Sequence, residues 1–103
     1  MWWGICVGGM KMFSITDGKG FQITFDNGVR VSVQFGEFSY CDNYTSKKYN
    51  PRSVDCKNAE VAIIDKNGQW LTREYYKNHN DDVKGYQTPE EVLKILNWAK
   101  KRK

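Results

Sequence analysis

Two alternating arms flank an Asp-Asn-Gly turn, and no other feature constrains the fold of this chain as strongly. The arms are Phe21-Gln22-Ile23-Thr24-Phe25 and Val29-Arg30-Val31-Ser32-Val33-Gln34-Phe35, separated by Asp26-Asn27-Gly28. A period of two places apolar side chains on one face of a strand and polar ones on the other, as in a strand with one buried face. Asn-Gly invites a two-residue hairpin loop, but that loop pairs Phe25 with Arg30 and Ile23 with Ser32, mixing the faces. A three-residue loop instead pairs Phe25 with Val29, Ile23 with Val31 and Phe21 with Val33. Every apolar side chain then shares one face, with Gly28 left-handed as a bulge. The three-residue loop is the expected one.

Phe13-Ser14-Ile15-Thr16 reads as a strand preceding this hairpin, set off by the turn Asp17-Gly18-Lys19-Gly20. A second hairpin is expected from Glu60-Val61-Ala62-Ile63-Ile64-Asp65 through Lys66-Asn67-Gly68 into Gln69-Trp70-Leu71-Thr72. Its first arm is apolar on both faces, as befits a strand inside the sheet. Near the C-terminus, Thr88 is placed to cap a helix, Pro89 fits its first position and Glu91 completes a capping box. Val92, Ile95, Leu96 and Ala99 follow at helical spacing as an apolar stripe, with Trp98 at its margin, where covering the sheet edge outweighs a partner contact. The expected fold class is α+β: antiparallel hairpins in one meandering sheet, packed by a C-terminal helix.

At 103 residues the chain has room for one domain. Residues 12–103 are expected to form it, ending in a basic tail, with residues 1–11 as an N-terminal extension. Aromatic residues make up 15% of the chain, too many for so small a core, so several rings are expected at a pocket rim or partner surface. The formal charge of +4 comes from the end of the chain. Lys100, Lys101, Arg102 and Lys103 carry it, and the remaining twelve bases balance twelve acids. That distribution argues against a DNA-binding groove, which needs cations clustered across a surface. Cys6, Cys41 and Cys56 are odd in number and lack short spacings, unlike a secreted disulfide framework. The run Trp2-Trp3-Gly4-Ile5-Cys6-Val7 is too short to span a bilayer and lacks the basic flank of a signal peptide. A reduced, cytoplasmic protein without membrane association is expected.

No catalytic constellation stands out. His79 is the single histidine, in the turn-like setting Asn78-His79-Asn80-Asp81-Asp82, and reads better as a loop residue than as a general base. A nucleophilic pairing with Cys41 or Cys56 has no motif behind it. The same three residues lack the paired short spacings of a zinc site, and Asp81-Asp82 marks a solvated loop more simply than a cation site. Gly18-Lys19-Gly20 has neither the spacing nor the helix of a phosphate-cradling loop. The reading is a non-enzymatic chain with no cofactor, no metal and no catalytic residue.

Residues 36–57 carry the strongest binding signal. They hold Tyr40, Asn43, Tyr44, Lys48, Tyr49 and Arg52 with no periodic segment between them. Long loops in small domains are disproportionately functional. Tyrosines stack, lysine and arginine neutralise phosphate, and asparagine reads a base or ribose edge, so the mixture suits an anionic, base-containing ligand. It equally suits a protein interface, where Tyr and Arg are the usual anchors, and a merely decorated surface loop remains the plain alternative. Residues 74–86 form a second polar, aromatic stretch with Tyr75, Tyr76, His79, Asp81, Asp82 and Tyr86.

Several segments resemble a family of small phage- and prophage-encoded proteins. They are Gly20-Phe21-Gln22-Ile23-Thr24-Phe25-Asp26-Asn27-Gly28, Val31-Ser32-Val33-Gln34-Phe35-Gly36 and Tyr40-Cys41-Asp42-Asn43, then Asn58-Ala59-Glu60-Val61-Ala62-Ile63 and Gly85-Tyr86-Gln87-Thr88-Pro89-Glu90-Glu91-Val92. The likeness spans residues 12–100 and transfers no catalytic residue. It implies a mobile-element origin, and accessory phage proteins of this size often block a host defence protein or sequester a defence signal. The resulting expectation is a counter-defence protein, acting in the bacterial cytoplasm, that sequesters an anionic nucleotide-type signal, with a homo-oligomer interface able to complete its site. A direct inhibitor of a host defence effector or nuclease is the alternative, and a signal-degrading enzyme using His79 stands third.

Overall fold

The computed structural model describes residues 11–16, 19–36, 38–44, 55–77 and 79–103. Along the chain these form β1 (Met12–Ile15), β2 (Gly20–Thr24), β3 (Arg30–Gln34), β4 (Ala59–Ile64), α1 (Thr72–Tyr75), β5 (Lys84–Gln87) and α2 (Pro89–Lys101). The strands make one sheet in the order β1-β2-β3-β4-β5, each antiparallel to its neighbours. The α+β meander with its C-terminal helix is the architecture that the alternating arms and the capped stripe predict.

The first hairpin takes the three-residue register. Phe21 faces Val33 and Ile23 faces Val31, while the Phe25 N–H donates to the Val29 carbonyl at 3.0 Å. Gly28 has φ +82°, and its N–H closes the turn onto the Phe25 carbonyl at 2.9 Å. Left-handed backbone is open to glycine without a steric penalty, which is why glycine ends this loop. Asn27 uses both ends of its amide. Its Oδ1 accepts from the Val29 N–H, and its Nδ2 donates to the carbonyls of Ala99 at 2.8 Å and Arg102 at 2.7 Å. The turn thereby caps the C-terminal end of α2 from outside the helix.

The core lies between the sheet and α2. Val29, Val31, Val33, Ala59, Val61, Ile63, Leu71, Ile95 and Ala99 are buried, with Val92, Leu96 and Trp98 packed at the margin. Fully burying an aliphatic side chain is worth roughly 1.5–3 kcal/mol, so this layer outweighs any surface contact. Thr88 caps α2 as expected: its hydroxyl accepts from the Glu91 N–H, and the Glu91 carboxylate accepts from the Thr88 N–H at 2.9 Å. That backbone donor holds the Glu91 carboxyl below its ordinary range. Trp98 is half-buried and meets the Tyr75 ring edge-on at 5.3 Å, so it covers the core.

Two expectations need correction. Alternation suggests that one face of the first hairpin is exposed, yet β3 is buried on both faces. Gln22, Thr24, Arg30, Ser32 and Gln34 are buried, with Gln34 Nε2 donating to Ser32 Oγ at 3.0 Å and Arg30 Nη1 to Gln22 Oε1 at 3.5 Å. Mutual hydrogen bonding makes a polar face buriable, so side-chain chemistry did not report exposure here. The second hairpin also stops short. Its return arm is reduced to one bridge between Ile64 and Trp70, and α1 begins at Thr72. Leu71 N–H takes the Ile63 carbonyl at 2.8 Å, and the buried Thr72 hydroxyl accepts the Ile63 N–H at 3.0 Å. Once a side chain has satisfied that donor, the backbone is released to turn into a helix, and β5 supplies the fifth strand instead.

Replacing Thr72 by valine keeps the shape but removes the acceptor for a buried N–H, an omission that costs about 1–3 kcal/mol. The Thr72→Val chain is expected to unfold at a correspondingly lower urea concentration, whereas Thr72→Ser, which retains the hydroxyl, stays closer to the parent. Equal losses in the two variants would show that methyl packing, not the hydrogen bond, matters at this position.

Candidate functional site

After β3 the described residues 38–44 make a succession of short turns. Ser39 N–H reaches the Gly36 carbonyl at 3.0 Å, and Tyr44 N–H reaches the Cys41 carbonyl at 2.9 Å. Such a segment has no ladder of its own, so its backbone must find partners elsewhere. The foot of β4 supplies them. The Glu60 carboxylate accepts the Tyr40 N–H at 2.9 Å, and Asn58 Oδ1 accepts the Asp42 N–H at 2.8 Å. Asn43 turns inward and donates its Nδ2 to the Phe35 carbonyl at 2.9 Å.

Tyr40 and Tyr44 emerge from this braced segment side by side. Their rings are 5.1 Å apart at 44°, and they are 44% and 42% exposed. Of the six residues that the sequence assigns to a binding site, the structure thus brings Tyr40 and Tyr44 together and uses the Asn43 amide nitrogen as a brace. Lys48, Tyr49 and Arg52 lie outside the described residues.

A third tyrosine, Tyr86, belongs to the neighbourhood, although the sequence places it in the separate aromatic stretch 74–86. β4 and β5 pair Ala59 with Gln87 and Val61 with Lys84, so Gly85 and Tyr86 together face Glu60 across a β-bulge. The bulge turns the Tyr86 N–H out of the ladder and onto the Tyr40 carbonyl at 2.9 Å. Tyr86 holds φ +57°, a left-handed conformation that costs an L-residue about 1–2 kcal/mol, and its side chain is 52% exposed. Gly85 permits the contact, because a Cβ there would sit 2.7 Å from the Tyr40 Cβ and 2.8 Å from its carbonyl oxygen. A lone glycine within a strand signals a bulge or a close backbone approach, and that signal was present in Gly85-Tyr86-Gln87.

Burial pushes the Glu60 carboxyl above its ordinary value; the Tyr40 N–H partly offsets this and the charge of Asp81 adds to it. Beside it, burial pushes the Cys41 thiol up to about 11. His79 is half-buried, with Nε2 at 2.6 Å from the Val83 carbonyl and its ring edge-on to Tyr76. It therefore serves the turn before β5. Tyr76 donates its hydroxyl to Gln87, and burial raises its phenol. Among the described residues, no three His, Cys, Asp or Glu side chains are grouped to hold a metal ion, and no helix is long and apolar enough to cross a membrane.

A second surface lies across the sheet at β1. Phe13 pairs with Ile23 and Ile15 with Phe21, on the α2 side of the sheet, yet Phe13 and Ile15 are 72% and 85% exposed. Phe13 lines a cleft of about 610 Å³ with Ile23, Phe25, Lys11 and Lys100. Comparison of the chain with protein-family models, curated proteins and solved structures finds no match.

Gly85→Ala is expected to destabilise the fold by about 1–3 kcal/mol in urea denaturation, because the added methyl meets the backbone of residue 40. Glu60→Gln tests the buried charge. A carboxyl raised above 4.5 in the folded state holds its proton longer there than in the unfolded chain. Its contribution to stability therefore falls as pH rises from about 4.5 through the raised value. Relative to the parent, Glu60→Gln should gain stability as pH rises above about 4.5; parallel curves would remove Glu60 as the source.

Proposed function

We propose that this chain is a non-enzymatic, phage-encoded binding protein that counters host immunity by sequestering an anionic nucleotide-type signal. The observation that carries the reading is the Tyr40–Tyr44 pair, exposed on a segment braced at four points by Glu60, Asn58, Phe35 and Tyr86. Aromatic faces held in place in advance lose little freedom when a base stacks on them. Lys48 and Arg52, close along the chain, supply the cations for phosphate, and Tyr49 a further ring. The phage origin and the bacterial cytoplasm as site of action enter through the family resemblance. The hydrogen-bonded setting of His79 favours binding over turnover, since its Nε2 is already committed to a backbone carbonyl.

A second reading has its own observation. The exposed Phe13 and Ile15 on β1 offer apolar anchors beside a strand edge that has no partner strand among the described residues, which suits direct inhibition of a host defence protein. A stable stoichiometric complex that is lost on Ile15→Lys would identify this mode.

Excess purified protein mixed with a panel of signalling nucleotides should deplete one of them from the filtrate and return it intact after heat denaturation. Tyr40→Ala and Tyr44→Ala are each expected to weaken that binding roughly 10- to 100-fold, the range for one lost stacking contact. Unchanged affinity in a Lys48→Ala, Arg52→Ala double variant would place the phosphate site elsewhere. A nucleotide that returns altered, with the alteration abolished by His79→Ala, would make the protein an enzyme.

A further inference from the structure

The sequence sets Cys41 and Cys56 fifteen positions apart, and the structure brings them to one place. Cys41 lies in the turn below Tyr40 and is 1% exposed, its Sγ at 3.7 Å from the Gly36 carbonyl. Cys56 is half-buried just ahead of β4, at the rim of an apolar groove lined by Phe21, Phe35 and Leu96. Cys56 is near enough to help hold the Cys41 thiol protonated. Asn58 fixes their surroundings, because its Oδ1 accepts both the Asp42 N–H at 2.8 Å and the Cys56 thiol at 3.9 Å. One side chain therefore ties the residue after Cys41 to the segment that carries Cys56. We propose that Cys41 and Cys56 are a reversible dithiol–disulfide pair that, when oxidised by a low-molecular-weight disulfide, covalently locks the Tyr40 turn to the foot of β4.

The chemistry assigns the two sulfurs different steps. Cys56 is the more accessible, so its thiolate attacks one sulfur of the small disulfide RSSR. That step forms Cys56–S–S–R and releases RS⁻, which takes up the proton lost by Cys56. Cys41 is shielded from solvent, so an outside disulfide does not reach it and it acts as the resolving group within the protein. Its thiolate attacks the Cys56 sulfur, forms the Cys41–Cys56 bond and expels the second RS⁻, which takes the proton of Cys41. Two protein thiols are oxidised and one RSSR is reduced to two RSH. The pair acts on the turn itself, independently of which ligand the tyrosines bind.

Glutathione disulfide is the probe. After incubation at neutral pH, the intact protein is expected to be two hydrogens lighter, and a non-reducing peptide map should join the peptides of Cys41 and Cys56. The melting temperature should rise by roughly 10 °C, because the bond closes a loop of about fifteen residues, and dithiothreitol should reverse both changes. Cys41→Ser should stop the reaction at the mixed disulfide, leaving the chain one glutathione heavier on Cys56. The proposal is overturned if the parent protein keeps its reduced mass, accumulates the glutathione adduct without resolving it, or forms a link through Cys6 or between chains. These readouts on the parent chain stand even if the Cys41→Ser variant folds poorly.

Discussion

Everything in this fold hangs on the pairing of β3 with β4. Val31 lies opposite Ile63 and Val33 opposite Val61, with every residue of both strands buried. A register slip of one residue would exchange the apolar set for Ser32, Gln34, Glu60 and Arg30 against α2, burying polar groups where only aliphatic side chains can receive them. The hydrophobic layer thus sets the register, and the register places Glu60 at the end of the strand where the Tyr40 turn needs an acceptor. Stability and site are consequences of one alignment.

Around that pair, loops are held by single side chains that reach between elements. Asn27 joins the first turn to the end of α2, Thr72 closes β4 against α1, and Asn58 with Glu60 secures the turns after β3. Arg102 adds a two-point contact to Glu74 that joins the end of α2 to α1. This contact is exposed, and such pairs contribute at most about 1 kcal/mol. The buried or half-buried hydrogen bonds carry more weight, because a donor stripped of both its partner and water has no substitute. The bulge at Gly85 and Tyr86 belongs with these devices. It interrupts the β4–β5 ladder where Glu60 is engaged elsewhere, and turns the displaced Tyr86 N–H to use on Tyr40.

How far the sequence could be read depended on the range of the interaction concerned. The first hairpin was legible to the residue, since a three-residue loop is the one that keeps Phe21, Ile23, Val31 and Val33 on a single face. The cap of α2 was equally local, with Thr88, Pro89 and Glu91 carrying all its information. Residues 69–72 misled because Gln69-Trp70-Leu71-Thr72 alternates well enough for a strand, while the hydrogen bond that ends it is donated to the Thr72 hydroxyl by the N–H of Ile63, nine positions back. At the candidate site, composition pointed to Tyr40 and Tyr44, but the bracing role of Asn43 and the arrival of Tyr86 depend on where Phe35 and β5 lie.

The sequence by itself determined the strand periods, the first turn and its register, the helix cap and the apolar stripe, because each is decided by neighbours within a few positions of backbone geometry. Tertiary structure alone decided that the polar face of β3 is buried, that β5 completes the sheet, and that Asn58 ties the segment of Cys56 to the turn of exposed tyrosines. Those outcomes join residues far apart in the chain. They follow from which surfaces close on one another once the core has formed, and no local pattern records that choice.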